Sequence, residues 1–407
     1  MKKVVKNKIL ILYHFFYPDD VVSSRHFSDL ALGLCKNNWD VTVYTSNRYC
    51  RNSKRRIKDK YEVWKDIKIN RFTRPAFNQK KHIPRLLNSF IISIKWLLKI
   101  IFSSSYDVVF IGTDPQFCYL IIPFIKLFKR RTKIVYWGFD LYPEAIISDS
   151  TGLLKIISKS FLPLTKFCYK YVNLFIDIGS CMKKIFKNYH KNITSTTVVP
   201  WALVEPGKEI IHRERDRAIL FGKAKLGILY SGTIGKAHEF NNFIKLAHSL
   251  RNNHNIHFCF AGQGNRYNEL KKLLTPADTN ISMQGFVKEE ELLSRLNSAD
   301  FHLISLKKGW EGIVVPSKFY GSLAIGKPLI YSGSPLSSIK TLIDENNLGY
   351  CLNEENISDI KEKILSYVDK KNELLKWNGI IYDFYQSNYA KDVGIRNIHN
   401  EILKVLS

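Results

Sequence analysis

The sequence predicts an α/β chain built as two doubly wound halves, each a mostly parallel sheet wrapped by helices. Three observations predict it. Short apolar runs alternate with helical patterns from end to end, the mark of strands joined by helical crossovers. The scheme breaks once, in a stretch of mixed charge and few large apolar residues at 205–225, and then restarts. Finally, 407 residues with 45% hydrophobic content suffice for two ordinary cores and exclude a disordered chain.

In the first half, apolar runs predict strands at 8–13, 40–45, 107–112, 133–137, 174–178 and 197–199. Apolar spacing predicts helices over 24–36, 86–103, 116–128, 153–171 and 182–188. The second half repeats the scheme, with strands at 226–231, 256–261, 281–284, 301–305, 328–331 and 348–351. Its helices are expected over 239–252, 266–274, 289–296, 317–324 and 357–370. The expected division is therefore 1–204, a linker at 205–225, 226–390, and a last helix in 391–407 that can pack on either half.

Charge narrows the partners. Sixty-two Lys and Arg against 36 Asp and Glu leave a net charge of +26, which favours anionic partners such as nucleic acid, acidic lipid or phosphorylated substrates. A solvated face accounts for any single basic cluster, at 51–60, 126–133 or 183–191; the chain-wide excess is harder to dismiss. The seven cysteines are scattered without a CxxC pair and read as small buried hydrophobes of a reducing compartment. The apolar stretch at 9–16 lacks a small-residue cleavage site and reads as a first strand rather than a secretion signal. No run approaches the roughly 18–20 uncharged apolar residues that span a bilayer, so a cytoplasmic chain is expected. The nearest run, 83–102, is interrupted by Arg85, Lys95 and Lys99. It reads either as a core helix over the first sheet or as one that dips into lipid headgroups.

In doubly wound sheets ligands bind beyond the carboxyl ends of the strands, so the loops there carry the candidate sites. The loop 16–24 brings Asp19 and Asp20 together with Arg25 and His26 on the next helix, a set able to bind hydroxyls or a phosphate, or simply to cap a helix. After the strand at 133–137, Asp140 and Glu144 stand among aromatics, which suits a sugar ring or an acidic first helical turn. In the second half, Gly232-Thr233-Ile234-Gly235-Lys236 and Gly262-Gln263-Gly264 follow two strands, and Pro316-Ser317-Lys318 opens a short helix closed by Gly326. Glycines let backbone N–H groups approach a phosphate, and a helix N-terminus with a lysine is an anion site. Each signal alone is weak; together they point to a nucleotide diphosphate in the second half. No GxGxxG follows the first strand, which argues against a dehydrogenase.

These segments, in order and spacing, resemble glycosyltransferase family 4, retaining enzymes of the GT-B fold, and in particular bacterial enzymes of colanic acid, O-antigen and capsule assembly. The matching strings are HFFYPDDVVSSRHFSDLALGL (14–34), WDVTVYTS (39–46), DLYPEAI (140–146), LYSGTIGKAHEF (229–240), FAGQGNRYNELKKL (260–273) and VPSKFYGSLAIGKPLIY (315–331). The resemblance implies two Rossmann-like domains across a cleft, the acceptor in the first and a nucleotide-sugar donor in the second. It also implies transfer with retention and without a bound metal. The donor residues it implies are Gly232, Thr233, Lys236, Gly262, Gly264, Phe286, Ser317, Lys318 and Tyr320. Those for the acceptor are Asp19, Arg25, Asp140 and Glu144, with Asp140, Glu311 and Lys318 as the catalytic set.

Two positions depart from the family pattern. Its two glutamates eight apart fall here on Ile313 and Gly321, with Glu311 two residues out of register as a substitute for the first. Its arginine and lysine pair appears as Thr233 and His238, with Lys236 as a substitute. The expected reaction moves a sugar from a nucleotide diphosphate sugar, UDP-linked, to a lipid-linked polyprenyl diphosphate saccharide at the cytoplasmic membrane face, with no further cofactor. The rivals are a nucleotide-sugar 2-epimerase or hydrolase on the same fold, and a non-catalytic basic binding protein. Nucleic acid is not expected as a partner, since only charge and no recognition motif speaks for it.

Overall fold

The computed structural model describes residues 6–79, 82–206 and 214–407. The chain forms two compact units, one of residues 1–199 with 392–407, the other of 200–391.

The first unit runs β1 (Lys8–Leu12), α1 (Val22–Lys36), β2 (Asp40–Ser46), β3 (Tyr61–Trp64), β4 (Ile67–Phe72), α2 (His82–Ile101), β5 (Val108–Gly112), α3 (Ile122–Phe128) and β6 (Lys133–Trp137). It continues through α4 (Glu144–Asp149), α5 (Gly152–Ser160), α6 (Leu162–Tyr169), β7 (Leu174–Asp177), α7 (Ser180–Tyr189) and β8 (Ser195–Thr197). Its eight strands lie in the order β3-β4-β2-β1-β5-β6-β7-β8. All neighbours are parallel except β3, which turns back on β4. Every residue of β5 and β7 is buried, as expected of strands covered on both faces.

The β3–β4 hairpin is absent from the sequence reading. Lys65 and Asp66 form its two-residue turn, both with positive φ. The expected helix over 153–171 is two helices, α5 and α6, with Pro163 in the first turn of the second.

The second unit contains α8 (Glu214–Phe221), β9 (Leu226–Ser231), α9 (Asn241–Ser249), β10 (Ile256–Ala261), α10 (Tyr267–Lys272), β11 (Ile281–Gln284), α11 (Glu289–Asn297) and β12 (Phe301–Leu306). It ends with α12 (Ser317–Ala324), β13 (Leu329–Gly333), α13 (Ser338–Asn346), β14 (Gly349–Leu352), α14 (Ile357–Ser366) and α15 (Lys371–Asn388). Its sheet, β11-β10-β9-β12-β13-β14, is wholly parallel. Part of the expected linker is helix: Leu220 and Phe221 of α8 sit in a core cluster with Leu229, Cys259, Ala261 and Ala299. The rest of that linker, 207–213, lies outside the described residues.

The last helix, α16 (Lys391–Leu406), joins the first unit. Ile395 lies against Gly33 of α1 so closely that a Cβ there would stand 2.4 Å from its Cγ2. The Trp39 indole N–H donates to His399 Nδ1 at 3.0 Å. All seven cysteines are free thiols.

Candidate functional site

In the second unit, backbone bonds stitch three strand ends together. Gly232 N–H donates to Ala261 O at 2.8 Å, Ile234 N–H to Gln263 O at 3.0 Å, and Gly262 N–H to Gln284 O at 2.9 Å. The loops after β9 and β10 touch backbone to backbone. A Cβ on Gly262 would lie 1.8 Å from Gly232 O, and one on Gly264 2.2 Å from Ile234 O. Gly232 also has φ +132, outside the range other residues favour.

Lys318, in the first turn of α12, reaches across this layer. A Cβ on Gly232 would stand 2.6 Å from its Cε, and its ammonium lies 5.1 Å from the centre of the Tyr230 ring. Its Nζ is 3.4 Å from His238 Nε2. On the other side of that ring, Nδ1 is 3.0 Å from Ser305 O, a carbonyl that can only accept. Nδ1 therefore carries the proton, and Nε2 offers its lone pair to Lys318. Burial, with Lys318 and Arg266 nearby, pushes His238 down to about 3, so it stays neutral. Burial also pushes Lys318 down to about 8, and no carboxylate among the described residues offsets it. A cation held among glycine backbone, an aromatic face and a neutral imidazole is a site for an anion.

A pH dependence follows. Lys318 is charged below about pH 8 and neutral above it. A bound diphosphate raises its pKa, so nucleotide affinity should be full below that value and fall above it, by up to about tenfold per pH unit. Titration calorimetry with UDP at about pH 7 and about pH 9 reads this directly; equal affinities would remove Lys318 from the contact.

The other expected donor residues divide. Thr233, Lys236 and Ser317 are exposed around the same loops, and Phe286 stands exposed beyond β11. Tyr320 is instead core, buried with its ring edge-on to Phe319 and Tyr389. Glu311, expected in the catalytic set, folds back on its own turn, where both carboxylate oxygens accept the Gly309 N–H at 2.9 and 3.1 Å.

In the first unit, β1, β5 and β6 are neighbours, and the residues just past their carboxyl ends gather. His14 Nδ1 lies 3.3 Å from Asp114 Oδ1, with the His14 side chain fully buried. Burial works against the Asp114 charge, but His14, Arg85 and Arg74 outweigh it and hold its carboxyl below the usual carboxylate range. Asp140 joins this group: its backbone N–H donates to Thr113 Oγ1 at 3.4 Å, and burial raises its carboxyl, with Arg85 acting against that rise and Asp114 adding to it. Just beyond Asp114, Phe117 has φ +61, a strained conformation for an aromatic residue.

His14, Asp114 and Arg85 were missed as site residues by sequence reasoning. Their one legible signal was position, since His14 and Asp114 each follow a strand. Two expected acceptor residues face inward. Asp19 is buried, its Oδ2 accepting the Cys50 N–H at 2.7 Å. Glu144 accepts the Tyr189 hydroxyl, and burial raises its carboxyl. Arg25 is half-buried on α1. Among the described residues, no group of three or more His, Cys, Asp or Glu side chains is placed to hold a metal ion.

Residues 212–381 match the family described as glycosyl transferases group 1. The matched residues lie in the second unit. It contains the glycine loops and Lys318. Two relatives extend the likeness. WbjE of Pseudomonas aeruginosa, assigned as a glycosyltransferase, is 25% identical over 292 residues, 69% of this chain and 70% of that protein. WcaI of Escherichia coli (strain K12), assigned to colanic acid biosynthesis, is 26% identical over 178 residues, 43% of this chain and 42% of that one. Together with the group 1 domain they support a glycosyltransferase of polysaccharide biosynthesis. Among solved structures, Anabaena HepE in complex with UDP superposes with a TM-score of 0.67 at 11% identity, covering 98% of this chain and 100% of that one. The same protein has been solved with UDP-glucose, with a TM-score of 0.65 at 12% identity. The fold is GT-B, two Rossmann-like units.

Proposed function

We propose that this chain is a retaining, metal-independent glycosyltransferase of the family 4 type. In this reading it moves a sugar from a UDP-linked donor to a lipid-linked polyprenyl diphosphate saccharide, in O-antigen, capsule or exopolysaccharide assembly at the inner face of the cell membrane. The observation that carries the reading is the Lys318 cradle, a desolvated cation over glycine backbone in the group 1 domain. The HepE complexes with UDP and UDP-glucose support uridine as the base.

In the proposed step, the acceptor hydroxyl attacks the anomeric carbon on the face from which the diphosphate leaves. The bond from that carbon to the phosphate oxygen breaks, the new glycosidic bond forms, and the hydroxyl proton passes to the departing phosphate. Lys318, with the first N–H groups of α12, stabilises the charge growing on that phosphate, which is where a metal ion would otherwise act. The second unit binds the donor. In the first unit, Asp114, held by His14 and Arg85, and Asp140 offer acceptors to sugar hydroxyls.

Ligand-induced thermal shift against UDP, GDP, ADP and CMP tests the donor. UDP at about a hundredfold over its Kd should stabilise by about 2.7 kcal/mol, and no shift with any nucleotide would sink the donor site. Asp114→Asn should keep the UDP shift and cut transfer by about ten- to a hundredfold. Undiminished transfer would remove the acceptor assignment. UDP release from donor at full rate without acceptor would favour the hydrolase.

A further inference from the structure

Four helices of the first unit carry large apolar side chains on their outer faces. α2 buries Asn88, Ser89 and Ser93 beside Ile92, Trp96 and Ile100. Its outer stripe, at helical spacing, is Ile83, Leu87, Phe90, Ile94 and Leu98, all exposed. α5 is more extreme. Its one buried residue is Ser158, while Leu153, Leu154, Ile156 and Ile157 are 72%, 55%, 66% and 47% exposed. α3 adds exposed Phe124, Leu127 and Phe128, and α6 adds Leu164 and Phe167. The four pack in succession, α2 on α3, α3 on α6 and α6 on α5. A run of this many large apolar side chains on adjacent elements is far from the scattered single residues of an ordinary surface.

The charge around it has one sign. Segments 82–106, 116–139 and 150–176 contain twelve Lys or Arg and no Asp or Glu, in a chain with 36 acidic residues elsewhere. Lys95, Lys99, Arg130, Arg131, Lys159 and Lys166 are exposed among the apolar residues. A second copy of the chain would meet this face with like charge. A bilayer surface of anionic phospholipid offers both a negative layer for the lysines and arginines and an acyl layer for the leucines and phenylalanines. No helix among the described residues is long and apolar enough to cross a membrane, so the contact would be one of docking.

We infer that the outer faces of α2, α3, α5 and α6 form one surface by which the first unit docks on an anionic lipid bilayer. This deepens the membrane location proposed above and rests on it. It goes beyond a single amphipathic helix, since α5 and α6 lie more than fifty residues downstream of α2.

Flotation of the full chain with vesicles tests it, using phosphatidylcholine alone and an equal mixture of phosphatidylcholine and phosphatidylglycerol. The unaltered protein should float with the mixed vesicles, less so at high salt, and stay behind with phosphatidylcholine alone. Phe90→Glu with Ile94→Glu on α2, and separately Leu153→Glu with Ile156→Glu on α5, should each reduce bound protein at least tenfold. The UDP thermal shift should be unchanged, which shows that the variants fold. If the unaltered protein floats with neither vesicle, the surface and the membrane location both fall, while the donor reading stands. If it floats and both variants float equally well, this surface is not the dock and the membrane location survives. Dissociation of a dimer in the variants without loss of flotation would assign the face to a second copy and overturn the inference.

Discussion

Lys318→Met should shrink the UDP thermal shift and, without ligand, raise the melting temperature. The two effects have opposite signs because the same desolvation serves one and costs the other. In the free protein the ammonium is pushed down to about 8 with no carboxylate among the described residues beside it, so its charge is a burden on the fold. Methionine keeps the reach along Gly232 and the Tyr230 face and removes that burden. After allowing for the partial exposure of Lys318, the relief is about 1 kcal/mol, or about 2–4 °C for a unit of this size. The loss on the ligand side is larger. A charged hydrogen bond to a phosphate contributes about 1.5–3 kcal/mol, so UDP affinity should fall roughly ten- to a hundredfold. Thermal melts of both proteins, with and without UDP, read both signs at once. A variant that is less stable and still binds UDP would show that Lys318 is part of the packing only.

Gly262→Ala should cost about 3 kcal/mol, the upper end of overpacking, and take nucleotide binding with it. The new Cβ would stand 1.8 Å from Gly232 O, and the obstacle is backbone held by the Gly232 N–H bond to Ala261 O. No side chain can rotate away; the loops after β9 and β10 must part. The melting temperature should drop by about 10 °C. Gly235→Ala, in the loop after β9, is the control, because the nearest atom to its Cβ would be Thr233 Cγ2 at 3.6 Å. It should melt within about a degree of the unaltered protein. Equal melting of the two variants would mean that the loops do not lie as closely as the structure places them.

Local signals were legible in the sequence, and pairings across the sheet were not. The run from Pro316 to Tyr331 announces its helix and strand because Pro, Gly and apolar spacing act over a few residues. The glycine loops were readable as close backbone approaches, but not that they approach each other. His14 and Asp114 are a hundred residues apart and meet only because β1 and β5 are neighbours. Strand order is set by how whole helices cover the sheet, which no short window contains. Glu311 and Tyr320 are placed otherwise than expected for a related reason. Register in the sequence gives a residue's place along the chain, whereas the direction of its side chain follows from the turn at Gly309 and the packing on Tyr389. The helix α15 was missed although Leu374, Trp377, Ile381 and Tyr385 are buried at helical spacing. That one was there to be read.

The seam between α1 and α16 bears on how the protein is made. Ile395 and His399, which close over Gly33 and Trp39, leave the ribosome only after the whole second unit has been synthesised. At about 5–20 residues per second, that is a wait of roughly ten to forty seconds. For that interval Gly33 of α1 and the nearby Trp39 stand without the cover of Ile395 and His399. A chain interrupted anywhere in the second unit never covers them. A truncated product therefore lacks both the Ile395 packing on Gly33 and the Trp39–His399 hydrogen bond that the full chain makes.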